Sequence, residues 1–70
     1  MEEIEIREGE DFIKLGQALK KAGIAESGVD AKYMIEDGLV NVNGEIENRR
    51  GRKLYPGDEI EFEGELFKVV

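Results

Sequence analysis

The stretch Gly38-Leu39-Val40-Asn41-Val42-Asn43-Gly44 (GLVNVNG, residues 38–44) is where the periodicity of this chain changes. Val40 and Val42 alternate with polar neighbours, the period of two that puts both on one face of a strand. Asn43-Gly44 then supplies two residues that tolerate positive φ, a strong signal for a two-residue hairpin turn. The residues from Phe12 to Gly38 read with a different period, so the stretch marks the passage into a β half.

Upstream, Leu15, Ala18, Leu19 and Ala22 follow the i, i+3, i+4, i+7 spacing of a helix with one apolar stripe. A first helix is predicted over about Lys14–Ala22. Lys20 and Lys21 suit the negative end of its dipole, and Gly23 is placed to be its left-handed cap. A second helix opens after Ser27, whose hydroxyl can cap free amides while Asp30 adds negative charge to the first turn. Ala31, Met34 and Ile35 share its inner face and Gly38 stops it. Two short helices with a Gly-containing link predict an αα corner. Before them, Glu3–Arg7 (EIEIR) alternates as a half-buried strand does, with Ile4 and Ile6 on one face.

Downstream, Glu45–Glu47 reads as the returning strand of the hairpin and Tyr55-Pro56-Gly57-Asp58 as a second turn. EIEFE and LFKVV, around Glu63-Gly64, are two further strands, with Ile60 and Phe62 inward and the Glu residues outward. The fold class predicted is α+β: one domain over residues 1–70, with two short helices packed on a small, mostly antiparallel sheet. The loop that follows Glu47 is expected to lie between two strands of that sheet.

At 70 residues there is room for one modest core and no deep enclosed cavity. The chain has no Cys, His or Thr, and Ser27 is its only Ser. Zinc sites of the usual kind, thiol nucleophiles and the commonest general base are therefore absent. A non-enzymatic domain with no cofactor and no metal site is expected. No basic segment followed by an apolar one opens the chain, and no apolar run approaches the ~20 residues that span a bilayer. The reading is a cytoplasmic domain with no membrane partner, acting as a monomer.

Charge is unevenly placed. The formal net charge is -7 and the pI about 4.5, yet four of the ten Lys and Arg residues fall at Arg49, Arg50, Arg52 and Lys53. No acid lies between Asn48 and Tyr55, so nothing local is expected to neutralise them. Arg presents a planar fork of donors that matches phosphate, and Gly51 allows close backbone approach. A solvated loop paired with nearby Glu side chains is the other reading, and composition leaves both open. Overall acidity does not decide it, because at ~0.15 M salt the Debye length is about 8 Å and a phosphate feels the local patch. The stretch from Phe12 to Gly23 carries Lys14, Lys20 and Lys21 and no acid, and Lys32 could join the same face. The row Glu59, Glu61, Glu63 and Glu65 is read as the solvated face of a strand rather than a metal or acid–base site. Tyr33 and Tyr55 could stack on bases or pack, and Tyr55, beside its turn, is assigned to packing.

The strings KLGQALKKAGIAESGVDAKYMIEDGLVNVNG and ENRRGRKLYPGDEIEF resemble the S4-type RNA-binding domain. Leu15, Leu19, Gly23, Ser27, Ala31, Ile35, Gly38, Val40, Val42, Asn43, Gly44, Gly57 and Asp58 fall in register with its pattern. The departures are Lys14 for an Arg, Gly16 for an Asp, Gly28 for the Arg of Ser-Arg, and Arg49-Arg50-Gly51 for a Lys-Pro-Ser. The Arg-rich loop is similar to that of the small stand-alone branch called YaaA or YbcJ. The resemblance implies an S4-like (αL) RNA-binding fold and RNA binding without catalysis, to structured or ribosomal RNA. Ribosome-associated proteins are further candidate partners. The RNA-binding residues expected on these grounds are Arg49, Arg50, Arg52, Lys53, Lys14, Lys32, Gly28 and Gly51. The alternative is a ribosome-associated adaptor that docks the basic loop on an acidic protein.

Overall fold

In the computed structural model, which describes residues 1–70, the elements follow the order β1 (Glu2–Ile4), β2 (Ile13–Lys14), α1 (Leu15–Lys21), α2 (Gly28–Glu36), β3 (Val40–Val42), β4 (Glu45–Ile46), β5 (Lys53–Leu54), β6 (Glu59–Phe62) and β7 (Glu65–Val69). The class is α+β, as the periodicities predict. Five strands form one sheet in the order β1-β7-β6-β3-β4. Every pairing in it is antiparallel except β1 with β7, which is parallel.

Helix α1 buries Leu15, Ala18 and Leu19 completely. It ends where Gly23 turns left-handed at φ 78°, and the Ile24 amide bonds back to the Leu19 carbonyl. In α2 the Ser27 hydroxyl accepts from the Asp30 amide at 3.2 Å, while Asp30 Oδ2 accepts from the Glu26 amide at 3.3 Å. These two bonds satisfy donors that a helix start otherwise leaves free. Ala31 and Ile35 turn inward against Val40, Val42, Ile60 and Val69 of the sheet, and one core of 14 buried residues results. Asn43 and Gly44 both have positive φ, at 52° and 87°, as the hairpin turn requires. The sheet pairs Asn41 with Ile46 and Val42 with Glu45 across that turn.

Asn43 does more than turn the chain. Its Oδ1 accepts from the Glu59 amide at 2.9 Å and its Nδ2 donates to Asp58 Oδ1 at 3.1 Å. Asp58 Oδ2 in turn accepts from the Tyr55 amide at 2.8 Å. One side chain from each turn thus ties the 43–44 turn to the 55–58 turn. Tyr55 packs its ring on Phe12, with centroids 6.0 Å apart, in keeping with the packing role expected of it.

The basic loop departs from its expected place. It does not join two strands of one sheet: it leaves the edge strand β4 and enters β5, which pairs with β2 in a separate two-stranded sheet. Both β2 and β5 are two residues long, too short to show a period in the sequence. Leu54 of β5 is fully buried, and burying such a side chain contributes roughly 1.5–3 kcal/mol relative to leaving it in water. That anchor fixes the far end of the loop beside the start of α1.

Candidate nucleic-acid interface

The near end of the loop is fixed by a buried acid. The Glu47 amide donates to the Val40 carbonyl at 3.0 Å, which continues the β3–β4 register by one residue. Val40 faces the core, so Glu47 turns to the same side and is only 6% exposed, while its neighbour Ile46 is left 68% exposed. A buried carboxylate is stable only when its lone pairs are filled. Arg49 supplies Nε at 3.0 Å, Nη2 at 3.1 Å and its own amide at 3.1 Å, and Arg52 supplies Nη1 at 2.8 Å. Those bonds, Arg49's first and then Arg52's, outweigh burial and hold the Glu47 carboxyl down to about 2 from its ordinary 4.5. Arg49 is correspondingly raised by its bond to Glu47.

This overturns the expectation that nothing local neutralises the basic loop. Glu47 immediately precedes the acid-free stretch that begins at Asn48, and it cancels one of the four charges. The side chain of Arg52 is 31% exposed and serves the loop's own geometry, whereas that of Arg49 remains 71% exposed despite its pairing.

The middle of the loop is held by its backbone. Its tip is a turn closed by the Arg52 amide on the Arg49 carbonyl at 3.2 Å, with Arg50 and Gly51 between. The Arg52 carbonyl then accepts from the Leu15 amide at 2.8 Å, and the Arg50 carbonyl from the Gly16 amide at 2.9 Å. Lys14 precedes α1 without any side-chain cap, so the loop's carbonyls fill the role of one. A Cβ on Gly16 would sit 3.5 Å from the Arg50 carbonyl oxygen, so the two segments are in van der Waals contact.

This docking brings the helix corner and the loop tip onto one face. A cleft of about 260 Å³ lies between them, lined by Lys14, Gly16, Gln17, Lys20, Gly28, Arg50 and Gly51. Three of the seven are cations, none is an acid, and none of the cations forms a salt bridge. Some cations elsewhere are engaged: Arg7 lies 3.8 Å from Glu10, and Lys21 donates to the Glu5 carbonyl. Lys53 adjoins the cleft through the β2–β5 ladder, where it stands directly opposite Lys14. Like charges so placed repel, by roughly 0.2–1 kcal/mol on the scale of cross-strand pairs. The Lys53 ammonium rests over the Phe12 ring at 4.9 Å from its centroid.

Of the expected residues, then, Lys14, Gly28, Arg50 and Gly51 meet in one cleft, with Lys53 beside it. Arg49 and Arg52 lie at the loop's base on Glu47, and Lys32, half-buried on α2, does not line the cleft. Gly28 and Gly51 have neither positive φ nor any atom within 4 Å of where a Cβ would be, so both positions are open to solvent. Lys20 and Gln17 were not among the expected site residues. The acid-free run from Phe12 to Gly23 was the available signal for Lys20, but its place near the end of α1 gave it an ordinary dipole role first.

The model of the S4 domain family matches residues 4–70 of the chain. The "Probable ribosome maturation protein RlbA" of Bacillus subtilis is 52% identical over 61 residues, 86% of this chain and 86% of that protein. The "Putative RNA-binding protein YbcJ" of Escherichia coli is 38% identical over 58 residues, 83% of each. The solution structure of E. coli YbcJ, described as revealing an αL motif involved in RNA binding, superposes with a TM-score of 0.71 at 33% identity. That superposition covers 100% of this chain and 87% of the other.

Proposed function

This chain belongs to the S4 domain family, and from that premise we propose that it is a non-catalytic, cytoplasmic RNA-binding protein for structured, ribosomal RNA. The observation that carries the reading is the cleft in which Lys14, Lys20 and Arg50 meet without an acid, in a chain of net charge -7. Concentrating unpaired cations costs free energy in the free protein, and phosphate oxygens relieve it. Arg50 at the loop tip, with Lys14 and Lys20 on the opposite wall, spans adjacent phosphates. Lys53 extends the track from the cleft, Arg49 offers its solvent-facing edge, and Gly28 and Gly51 leave the sugar–phosphate chain room to approach. Arg52 contributes by fixing the loop, and Lys32 adds positive potential from further along α2.

Contacts of this kind position an RNA and respond to its shape more than to its base sequence. Neutralising about three to five phosphates gives a slope of log K against log salt of roughly -2 to -4. A salt titration with ribosomal RNA fragments tests the reading directly. A slope near zero, or an affinity unchanged by Arg50→Ala with Lys20→Ala, would sink it. Docking of the basic loop on an acidic protein is separated by RNase: ribosome association that survives digestion and is lost in the Arg50→Ala variant identifies a protein partner.

A further inference from the structure

Asp30, Tyr33, Met34 and Asp37 follow the i, i+3, i+4, i+7 spacing of a single stripe along α2 and its C-cap, with Met34 half-buried against the core and the other three exposed. Ile24 and Glu26 from the link between the helices, and Leu39 after the α2 C-terminus, close this stripe into a cleft of about 340 Å³. Leu39 is held there by the turn that ends α2: Gly38 takes φ 76°, and the Leu39 amide donates to the Met34 carbonyl at 3.1 Å. Tyr33 is 58% exposed and Leu39 54% exposed, so two large apolar side chains flank the cleft in open water. The two flank a floor formed by Ile24 and Met34, so the apolar surface of the cleft is small but continuous in its lining.

The rim of the cleft is of one sign. Glu26, Asp30 and Asp37 line it, no Lys or Arg does, and none of the three forms a salt bridge. Asp30 commits one oxygen to the Glu26 amide and keeps the other free. The cleft shares no residue with the cleft of Lys14, Lys20 and Arg50. Its charge repels nucleic acid and its floor is apolar, the inverse of the RNA-facing cleft on both counts.

We propose that this cleft is a docking site for a cationic peptide segment of a partner protein, one that carries Arg or Lys around an apolar anchor. The anchor enters between Tyr33 and Leu39 and covers Ile24 and Met34. The flanking guanidinium or ammonium groups meet Glu26, Asp30 and Asp37, where Arg can bridge both oxygens of a carboxylate. Apolar burial at the centre with opposite charges at the rim is the arrangement that gives a small interface both affinity and orientation. RNA on one face and a basic protein segment on another can then be held at once, which reaches beyond RNA binding and does not depend on it.

The test uses the full chain and a fluorescein-labelled peptide of about twelve residues in which Leu alternates with Arg-Lys pairs. Two comparison peptides are oligo-arginine, which lacks the anchor, and the same design with Glu in place of the cations. The expected result is saturable binding of the first peptide, with amide chemical-shift changes centred on Ile24, Tyr33, Asp37 and Leu39. Glu26→Lys with Asp37→Lys should weaken it at least about tenfold, as should Tyr33→Ser alone, while RNA affinity falls in neither. All three positions are exposed, so the fold is not at stake. The proposal is overturned if oligo-arginine binds equally well, if the shifts centre on the Glu59–Glu65 strands, or if the charge reversals leave affinity unchanged. It is equally overturned if the same amides shift with RNA, or with protein concentration alone, which would make the occupant a nucleic acid or a second copy of the chain.

Discussion

Arg52 donates to the buried carboxylate of Glu47 at 2.8 Å and thereby closes the base of the basic loop. The pair has an unusual division of roles: an acid is placed in the interior so that arginines can be fixed at the surface. Arg49 adds three further bonds to the same carboxylate.

Glu47→Gln should therefore destabilise the domain by about 1–3 kcal/mol, because an amide has one acceptor oxygen where the carboxylate has two, so two of the four donors would face an NH2 group and be left unpaired. In a domain of this size that is roughly 4–8 °C of Tm for each kcal/mol, read by circular dichroism. The pH dependence has a definite sign. The folded-state pKa of Glu47 is lowered to about 2 from 4.5, so its contribution is complete above about pH 4.5 and disappears as pH falls through about 2. The stability gap between the parent chain and Glu47→Gln should narrow over that interval, and a constant gap would contradict the assignment.

Lys14→Glu should separate stability from function. It turns a repulsive cross-strand pair with Lys53 into an attractive one and puts an acid at the start of α1. The expected gain is roughly 0.2–1 kcal/mol from the pair alone. RNA affinity should fall at the same time, with a shallower salt slope. A variant that loses stability would argue that the two lysines are not set against each other by the ladder.

Gly28→Arg restores the charge that the S4 pattern carries at the start of the second helix. No atom lies within 4 Å of a Cβ built there, so a side chain can begin at this position without a clash. RNA binding is expected to tighten several-fold and the salt slope to steepen by about one, as for one added phosphate contact. Unchanged binding in a filter or polarisation assay would place the RNA away from this corner.

Asn43→Ala and Asn43→Gly should differ in an informative way. Both lose the bonds to Asp58 and the Glu59 amide, but only alanine also keeps a Cβ at φ 52°. The left-handed region costs a non-Gly residue roughly 1–2 kcal/mol, and Asn offsets part of this by local hydrogen bonding. Urea denaturation should rank the parent first, Gly second and Ala last.

Much of the fold can be read from local signals. The two helices have the period of 3.6, a Ser27 cap and glycine stops, and Asn43-Gly44 has the residues its dihedrals demand, whereas at the 63–64 turn only Gly64 does and Glu63 is carried to φ 50°. What stays hidden is the non-local part. The β2–β5 pairing joins two-residue segments that are about forty positions apart, and two residues carry no period. The inversion at β4 is hidden for a related reason. Residue type alone would bury Ile46 and expose Glu47, but the hairpin register sets Glu47 opposite core-facing Val40, and the two arginines further along the chain satisfy the carboxylate there. The site was half legible: the cluster of cations is a matter of counting, but Lys20 enters it because of how the loop lies across α1, and Glu47 removes one charge from it.

The hold of the loop on α1 has one more consequence. Its two bonds, from the Leu15 and Gly16 amides to the Arg52 and Arg50 carbonyls, use only peptide groups. Every residue but proline has both, so within the frame that Glu47, Arg52 and Leu54 fix, the path of the tip across the helix does not depend on which side chains positions 50 and 51 display. Residues at the tip are free to be exchanged for others of different charge or reach, and the segment will still lie where it lies. Mutation can thus retune what this surface grips without first rebuilding the surface, and a small domain with no spare core gains a place where change is cheap.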